Sequence, residues 1–390
     1  MRKPKLLFHI PGDKGKEAPG RETGGAQMTR VCGGGELSKA DPSKFYMLRT
    51  FGETGQQIWD VTTPEKPKLV WRIDGLQSTH KNDWDCQSGV ALLVHTGASE
   101  TWKIQRVTHV YDLSNPEQPR KIREISLPEH MTGAKGAGPA VLPAPSRGRN
   151  GLDRVFFGYG TNKDGAAVIL DKQKMLNGAP EPTAEALKDL EIGRLTLPSF
   201  LGAHTAFPLY GVKPVRFAKD KAEQTRNFLV VVNENNTTAC GEARQMAYFA
   251  DVTDEKHPMG VASYEPDERA GKFCDRGGRF GAHASNESTA AAFYGRLMFF
   301  SWFNAGVRML DIRDPYAPKE VGFFIPARNR NTDFRCDDEK RRRGCVPVIQ
   351  INNVEVDERG YIYAVDRANS GIFILGVTGT ARKIMGPIIK

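Results

Sequence analysis

The chain is punctuated by short, almost wholly apolar runs: "GVALLV" (Gly89–Val94), "RVFFGYG" (Arg154–Gly160), "FLVVVNE" (Phe228–Glu234), "LMFFSWF" (Leu297–Phe303) and "YIYAVD" (Tyr361–Asp366). Runs of this length, rich in β-branched and aromatic residues, predict strands, and lack of alternation predicts strands covered on both faces. Helical periodicity is scarce: "EPTAEALKDLE" (Glu181–Glu191) predicts one short helix. Most of the runs are followed by a second strand end with a shared signature: "WDVTTPEKP" (Trp59–Pro67), "YDLSNPEQP" (Tyr111–Pro119), "ADVTDEKHP" (Ala250–Pro258) and "LDIRDPYAP" (Leu310–Pro318). In each, an Asp can accept hydrogen bonds from the turn backbone, and a Pro ends the strand. Weaker copies are "AAVILDKQKM" (Ala166–Met175) and "GIFILGV" (Gly371–Val377).

A unit of several strands that recurs at roughly 50 to 60 residues predicts radial repetition of small sheets, which leaves few open edges. The expected fold is all-β: a single β-propeller over 28–380 with short helical or loop insertions, a flexible lead-in at 1–27 and a C-terminal tail at 381–390. Copies at Asp60, Asp112, Asp171, Asp251, Asp311 and Ile374 give six blades, with seven as the alternative. A large β-sandwich would not explain the repeated Asp…Pro turn.

The repeat also organises the histidines. There are eight, and three share a setting: "STHKNDWDC" (Ser78–Cys86), "LGAHTAFPL" (Leu201–Leu209) and "GGRFGAHASNES" (Gly277–Ser288). His80, His204 and His283 each precede the second strand of their own blade, so each belongs to the strand that opens a blade. In a propeller that strand lines the central channel. Convergent imidazoles with open positions make a transition-metal site, with Fe, Zn, Cu, Mn and Ni undistinguished. Asp83, Asp85, Glu287 and Glu355 are the candidate carboxylates to orient the rings. Asn352 and Asn353, from "IQINNVEVD", could complete the ring of donors; the third blade offers only "GAGPAVLP" (Gly136–Pro143). With no Lys or Arg expected to face the histidines except Lys81, a cation is the expected occupant. Trp84, Tyr159, Arg279, Trp302 and Phe303 either flank a pocket at the channel mouth or pack within blades. His109 is expected on an outer strand, His257 in a repeat turn, His95 and His130 in loops and His9 in the lead-in.

Six cysteines occur, with no C-x-x-C, which argues against a zinc cluster. An even count flanking loops suggests disulfides and an oxidising compartment. Locality pairs Cys32 with Cys86, Cys240 with Cys274 and Cys336 with Cys345, one of fifteen arrangements. The start has basic residues but too short an apolar run for a signal peptide, so periplasmic or secreted location rests on the cysteines, with cytoplasmic as the alternative. The net charge of +9 reads as a mildly basic surface. The run "EKRRRG" (Glu339–Gly344) follows Asp337 and Asp338 and lacks the aromatic interleaving of nucleic-acid binders. No apolar stretch is long enough to span a membrane. No G-x-S-x-G or H-E-x-x-H occurs, and the Gly-rich segments match no nucleotide-binding pattern.

The segments "AGVRMLDIRDPYAPKEVGFF", "QINNVEVDERGYIYAVDRANSGIFIL" and "GGRFGAHASNES" resemble the LVIVD-repeat β-propeller proteins, and the resemblance runs from Cys32 onward. That family is mostly bacterial, often exported and largely uncharacterised, so the resemblance implies fold and exported location more than activity. Two functions from different classes remain. One is an enzyme with a His-lined, metal-binding site acting on a small organic substrate, whether lyase, isomerase, hydrolase or oxygenase. The other is a non-catalytic exported binding scaffold. Oligomeric state is left open.

Overall fold

A computed structural model describes residues 4–12, 25–26, 28–135, 153–214, 225–336 and 344–389, and the backbone of 144–147. Most of the lead-in, the Gly136–Pro143 segment and the basic run from Glu339 to Arg343 lie outside the described residues.

The protein is all-β, a six-bladed β-propeller, with six small antiparallel sheets among the described residues. The first sheet holds β1 (Thr29–Gly33), β2 (Phe45–Phe51), β3 (Gly55–Asp60) and β4 (Lys68–Ile73). The second holds β5 (Asn82–Asp85), β6 (Val90–Thr96), β7 (Arg106–Asp112) and β8 (Arg120–Ile125). The third holds β9 (Ala144–Arg147), β10 (Arg154–Tyr159), β11 (Ala166–Asp171) and β12 (Glu191–Thr196). The fourth holds β13 (Thr205–Val212), β14 (Arg226–Val232), β15 (Ala247–Asp251) and β16 (Met259–Tyr264). The fifth holds β17 (Ala284–Ser285), β18 (Leu297–Ser301), β19 (Val307–Asp311) and β20 (Lys319–Phe324). A hairpin, β21 (Phe334–Cys336) and β22 (Cys345–Pro347), precedes the sixth sheet of β23 (Ile351–Val356), β24 (Tyr361–Asp366) and β25 (Gly371–Gly376).

Two compact units divide the chain: Met1–Phe157 with Ile169–Ile192, and Gly158–Val168 with Gly193–Lys390. In the first, Leu48, Ile58, Trp84, Ala91 and Leu93 form a core between the first and second sheets. In the second, one core joins Phe228, Val230 and Phe249 to Phe300 and Trp302, and another joins Phe299 to Ile351 and Ile362. The second strands are the most apolar because both their faces are covered: all of β18 is buried, and all of β6 except its last residue. The fourth strands β4 and β16, in contrast, hold only exposed and half-buried positions.

The repeated Asp does what its position in the turn suggests. Carboxylates of Asp60, Asp112, Asp251 and Asp311 each accept the main-chain N–H two residues on, at 2.9, 3.0, 2.9 and 3.1 Å. Asp171 departs from this pattern: it caps a helix, α1 (Lys172–Asn177), by accepting from Lys174 N at 3.0 Å. The predicted helix is α2 (Ala184–Leu190), capped by Thr183.

Tyrosine hydroxyls fasten the fourth sheet to the fifth. Tyr316 donates to Asp251 at 2.6 Å, Tyr294 donates to the Pro208 carbonyl at 3.1 Å, and Tyr264 donates to Glu320. After β18 the chain turns through Phe303, at φ +35°, and Gly306, at φ +76°. A Cβ on Gly306 would lie 2.1 Å from the Phe324 carbonyl oxygen, so only glycine fits there.

Three disulfides form, Cys32–Cys86, Cys240–Cys274 and Cys336–Cys345, as locality suggests. They place the protein in an oxidising environment. Among the described residues, no helix is long and apolar enough to cross a membrane.

Candidate functional site

The three histidines of the shared setting occupy one rung of the repeat. His80, His204 and His283 lie just ahead of β5, β13 and β17. Each donates its main-chain N–H to a carbonyl at the far end of the second strand: Val94 at 3.0 Å, Val232 at 2.7 Å and Ser301 at 3.1 Å. This common hydrogen bond is the physical content of the sequence similarity.

In the second compact unit the rung builds a cluster. The rings of His204 and His283 lie 4.4 Å apart, centroid to centroid. Between them stands a residue that sequence reasoning did not select, Glu234, two residues past the end of β14 and 7% exposed. Donor atoms of His204, Glu234 and His283 all lie within 4.8 Å of one another. Nε2 of His204 is 3.7 Å from one Glu234 carboxylate oxygen, and Nε2 of His283 is 3.6 Å from the other.

The rings' opposite nitrogens fix their state. His204 Nδ1 lies 2.6 Å from the carbonyl oxygen of His283, and His283 Nδ1 lies 2.6 Å from that of Asn352. A carbonyl only accepts, so each Nδ1 carries the proton. In the neutral ring, Nε2 then holds the lone pair, and both lone pairs face a carboxylate. Acceptor atoms brought this close favour positive charge beside them, from a guanidinium, a proton or a metal ion. Main-chain carbonyls thus perform the orienting role that the sequence assigned to carboxylates.

Two guanidiniums border the cluster. Nη1 of Arg279 lies 3.4 Å from Glu234 Oε1, and Nη1 of Arg367 lies 4.0 Å from the same atom. Both pack over the Phe303 ring, at 5.4 and 5.6 Å from its centroid, and the His283 ring is 5.2 Å from Phe303. Burial pushes the Arg367 guanidinium down to about 9. The expectation that Lys81 alone would bring a cation near the histidines is therefore corrected. Arg279 stands four residues before His283 in the same segment, and Arg367 arrives from the turn after β24.

Other candidates have separate roles. His80 lies in the first compact unit and is not part of the His204–Glu234–His283 group. Asp83 pairs with Arg30 at 3.2 Å, and Asp85 pairs with Lys172. Glu355 accepts from the main chain of Glu287 and Val356. Asn352 serves through its main chain, while its side chain bonds Asn353. Trp84, Tyr159, Trp302 and Phe303 are fully buried, so packing is part of the role of each; Phe303 also lies against the His283 ring.

His95 is not in a loop but on β6, where it stacks on His109 of β7 with centroids 3.4 Å apart. His130 lies in a 3-10 turn and is buried. His257 is in its expected turn, bonded to Asp254. A second group, Cys240, Glu268 and Cys274, has both sulfurs in a disulfide and so offers no thiolate.

Sequence left one signal of Glu234 unused: a carboxylate two residues after the apolar strand run Phe228–Val232. Arg367 had no comparable signal.

No protein-family model and no curated protein matches the chain. Among solved structures, it is similar to a hypothetical selenium-binding protein from Sulfolobus tokodaii, at 12% identity and a TM-score of 0.47, over 87% of this chain and 69% of that one.

Proposed function

We propose that this protein is an exported, metal-dependent β-propeller enzyme, its kinship lying with the LVIVD-repeat proteins. His204, His283 and Glu234 would hold a divalent transition ion, and the substrate would be a small organic molecule. The observation that carries this reading is the pair of Nε2 lone pairs, set by Nδ1–H bonds to main-chain carbonyls, facing a buried carboxylate. Two imidazoles and a carboxylate are a familiar donor set for Zn, Fe, Mn, Ni or Cu. When bound, the ion would polarise a substrate oxygen or activate water or dioxygen. The protein's own contribution is to orient both rings through main-chain carbonyls, to exclude water around Glu234 and to keep positive charge at Arg279 and Arg367. Export is supported by the three disulfides.

Elemental analysis of protein purified under metal-replete conditions tests the reading. His204→Ala, His283→Ala and Glu234→Gln should each lower metal content by at least about tenfold, the loss of one strong ligand interaction, with circular dichroism unchanged. Full metal content in these three variants, or none in the parent protein, sinks the proposal.

A further inference from the structure

We infer that the substrate of this site carries a carboxylate, received by Arg279 beside the cluster; this rests on the metal-site reading above. Among the described residues, the hydrogen bonds of the Arg279 guanidinium go through Nη1, to Glu234 and to the Asn235 carbonyl, both at 3.4 Å. Among the described residues nothing accepts from its Nε and Nη2 edge, which matches the two oxygens of a carboxylate side by side. The side chain keeps 24% of its surface exposed, against 9% for Glu234 and 7% for His283. Of these three groups, Arg279 is therefore the most open to an arriving molecule.

The position is built rather than accidental. Gln350 grips the main chain of Arg279 at both ends, its Oε1 accepting from Arg279 N at 3.0 Å and its Nε2 donating to Arg279 O at 3.2 Å. The guanidinium lies over Phe303, whose backbone is held at positive φ by the turn through Gly306. Preorganisation of this kind reduces what a ligand must spend on ordering its receptor.

Charge agrees with an anionic ligand. Arg279 and Arg367 both stand beside Glu234, and an ion held by the cluster would add positive charge, so the group favours an anion. The planar fork, with its two parallel N–H donors, suits the two coplanar oxygens of a carboxylate. The flat apolar ring of Phe303 beside the fork suits the organic part of such a molecule. Bound there, the carboxylate would place the adjoining carbons next to His283, whose ring is 5.2 Å from Phe303.

Isothermal titration with acetate and benzoate, and with sulfate and inorganic phosphate as contrasts, tests the inference. Each is run on protein of measured metal content, before and after chelation. Benzoate and acetate should bind at one saturable site. Arg279→Gln should weaken them by about tenfold or more, the loss of a charged bidentate pair, and Arg279→Lys should fall between. Metal content should match the parent protein in both variants, with thermal midpoints confirming that they fold. Unchanged carboxylate affinity in Arg279→Gln overturns the inference while leaving the metal reading intact. Preference for sulfate or phosphate also overturns it. Absence of metal in the parent counts against the metal reading alone, since Arg279-dependent binding is still measured on metal-free protein.

Discussion

At the scale of single residues, burial sets behaviour more than residue type does. His95 and His109 stack in the second sheet, with Glu124 3.5 Å from His109 Nδ1. Burial pushes His95 down to about 4, and burial followed by the neighbouring His95 charge pushes His109 down as well. In the unfolded chain both rings return to about 6.5. The unfolded state then binds more protons than the folded one, so stability is full above about pH 6.5 and falls as pH drops. For His95 the decline levels off near pH 4. Each ring adds a slope of about 1.4 kcal/mol per pH unit within its window. Urea midpoints from pH 7 to pH 4.5 should show this fall, and His95→Gln should remove its share; an unchanged slope in that variant refutes the assignment. Neither this stack nor Glu234 was legible in the sequence. Which polar side chain points inward at a strand end depends on register, here Thr205 opposite Val232 and Val94 opposite Thr108, and register is a property of paired strands.

At the scale of elements, one motif serves different surroundings. The Asp turn was readable because its hydrogen bond is local, from carboxylate to a main-chain N–H two residues on. Its energetic weight was not readable, because that comes from neighbours. Asp251 has a side chain 10% exposed and also accepts from Tyr316 of the next sheet and pairs with Arg226 at 3.3 Å. Asp60 is half-buried and holds Thr62. Asp251→Ala should therefore cost about 3 kcal/mol, several hydrogen bonds with a half-buried phenol left behind, and Asp60→Ala about 1 kcal/mol. Chemical denaturation of both variants checks the order; equal losses would show that the turn alone, and not its partners, carries the stability. Asp171 marks the limit of pattern reading: the same strand-end Asp followed by "KQKML" becomes a helix cap, because long unbranched side chains favour the helix over the turn.

At the scale of the whole molecule, strand repeats and cysteine spacing were both legible, since each is written in short stretches of sequence. The disulfides close loops of separation 54, 34 and 9 residues. In the chain-entropy account, longer loops gain more, about 4 kcal/mol for the longest and about 3 kcal/mol for the shortest. Paired Cys→Ser replacements should thus lower stability most at Cys32–Cys86 and least at Cys336–Cys345, as read from denaturant midpoints; the reverse order would mean that native-state contacts near each bridge dominate. The two site histidines have a further consequence. His204 heads the fourth sheet and His283 the fifth, so the gap between their donor nitrogens is also the spacing of two blades, already clamped on the outside by three tyrosine hydroxyls. An ion seated there would act as a rivet through both sheets. Their opening would then become a shared event: amide protons of β13 and β17 should exchange with deuterium at rates that slow together as metal is added, and independently once it is removed.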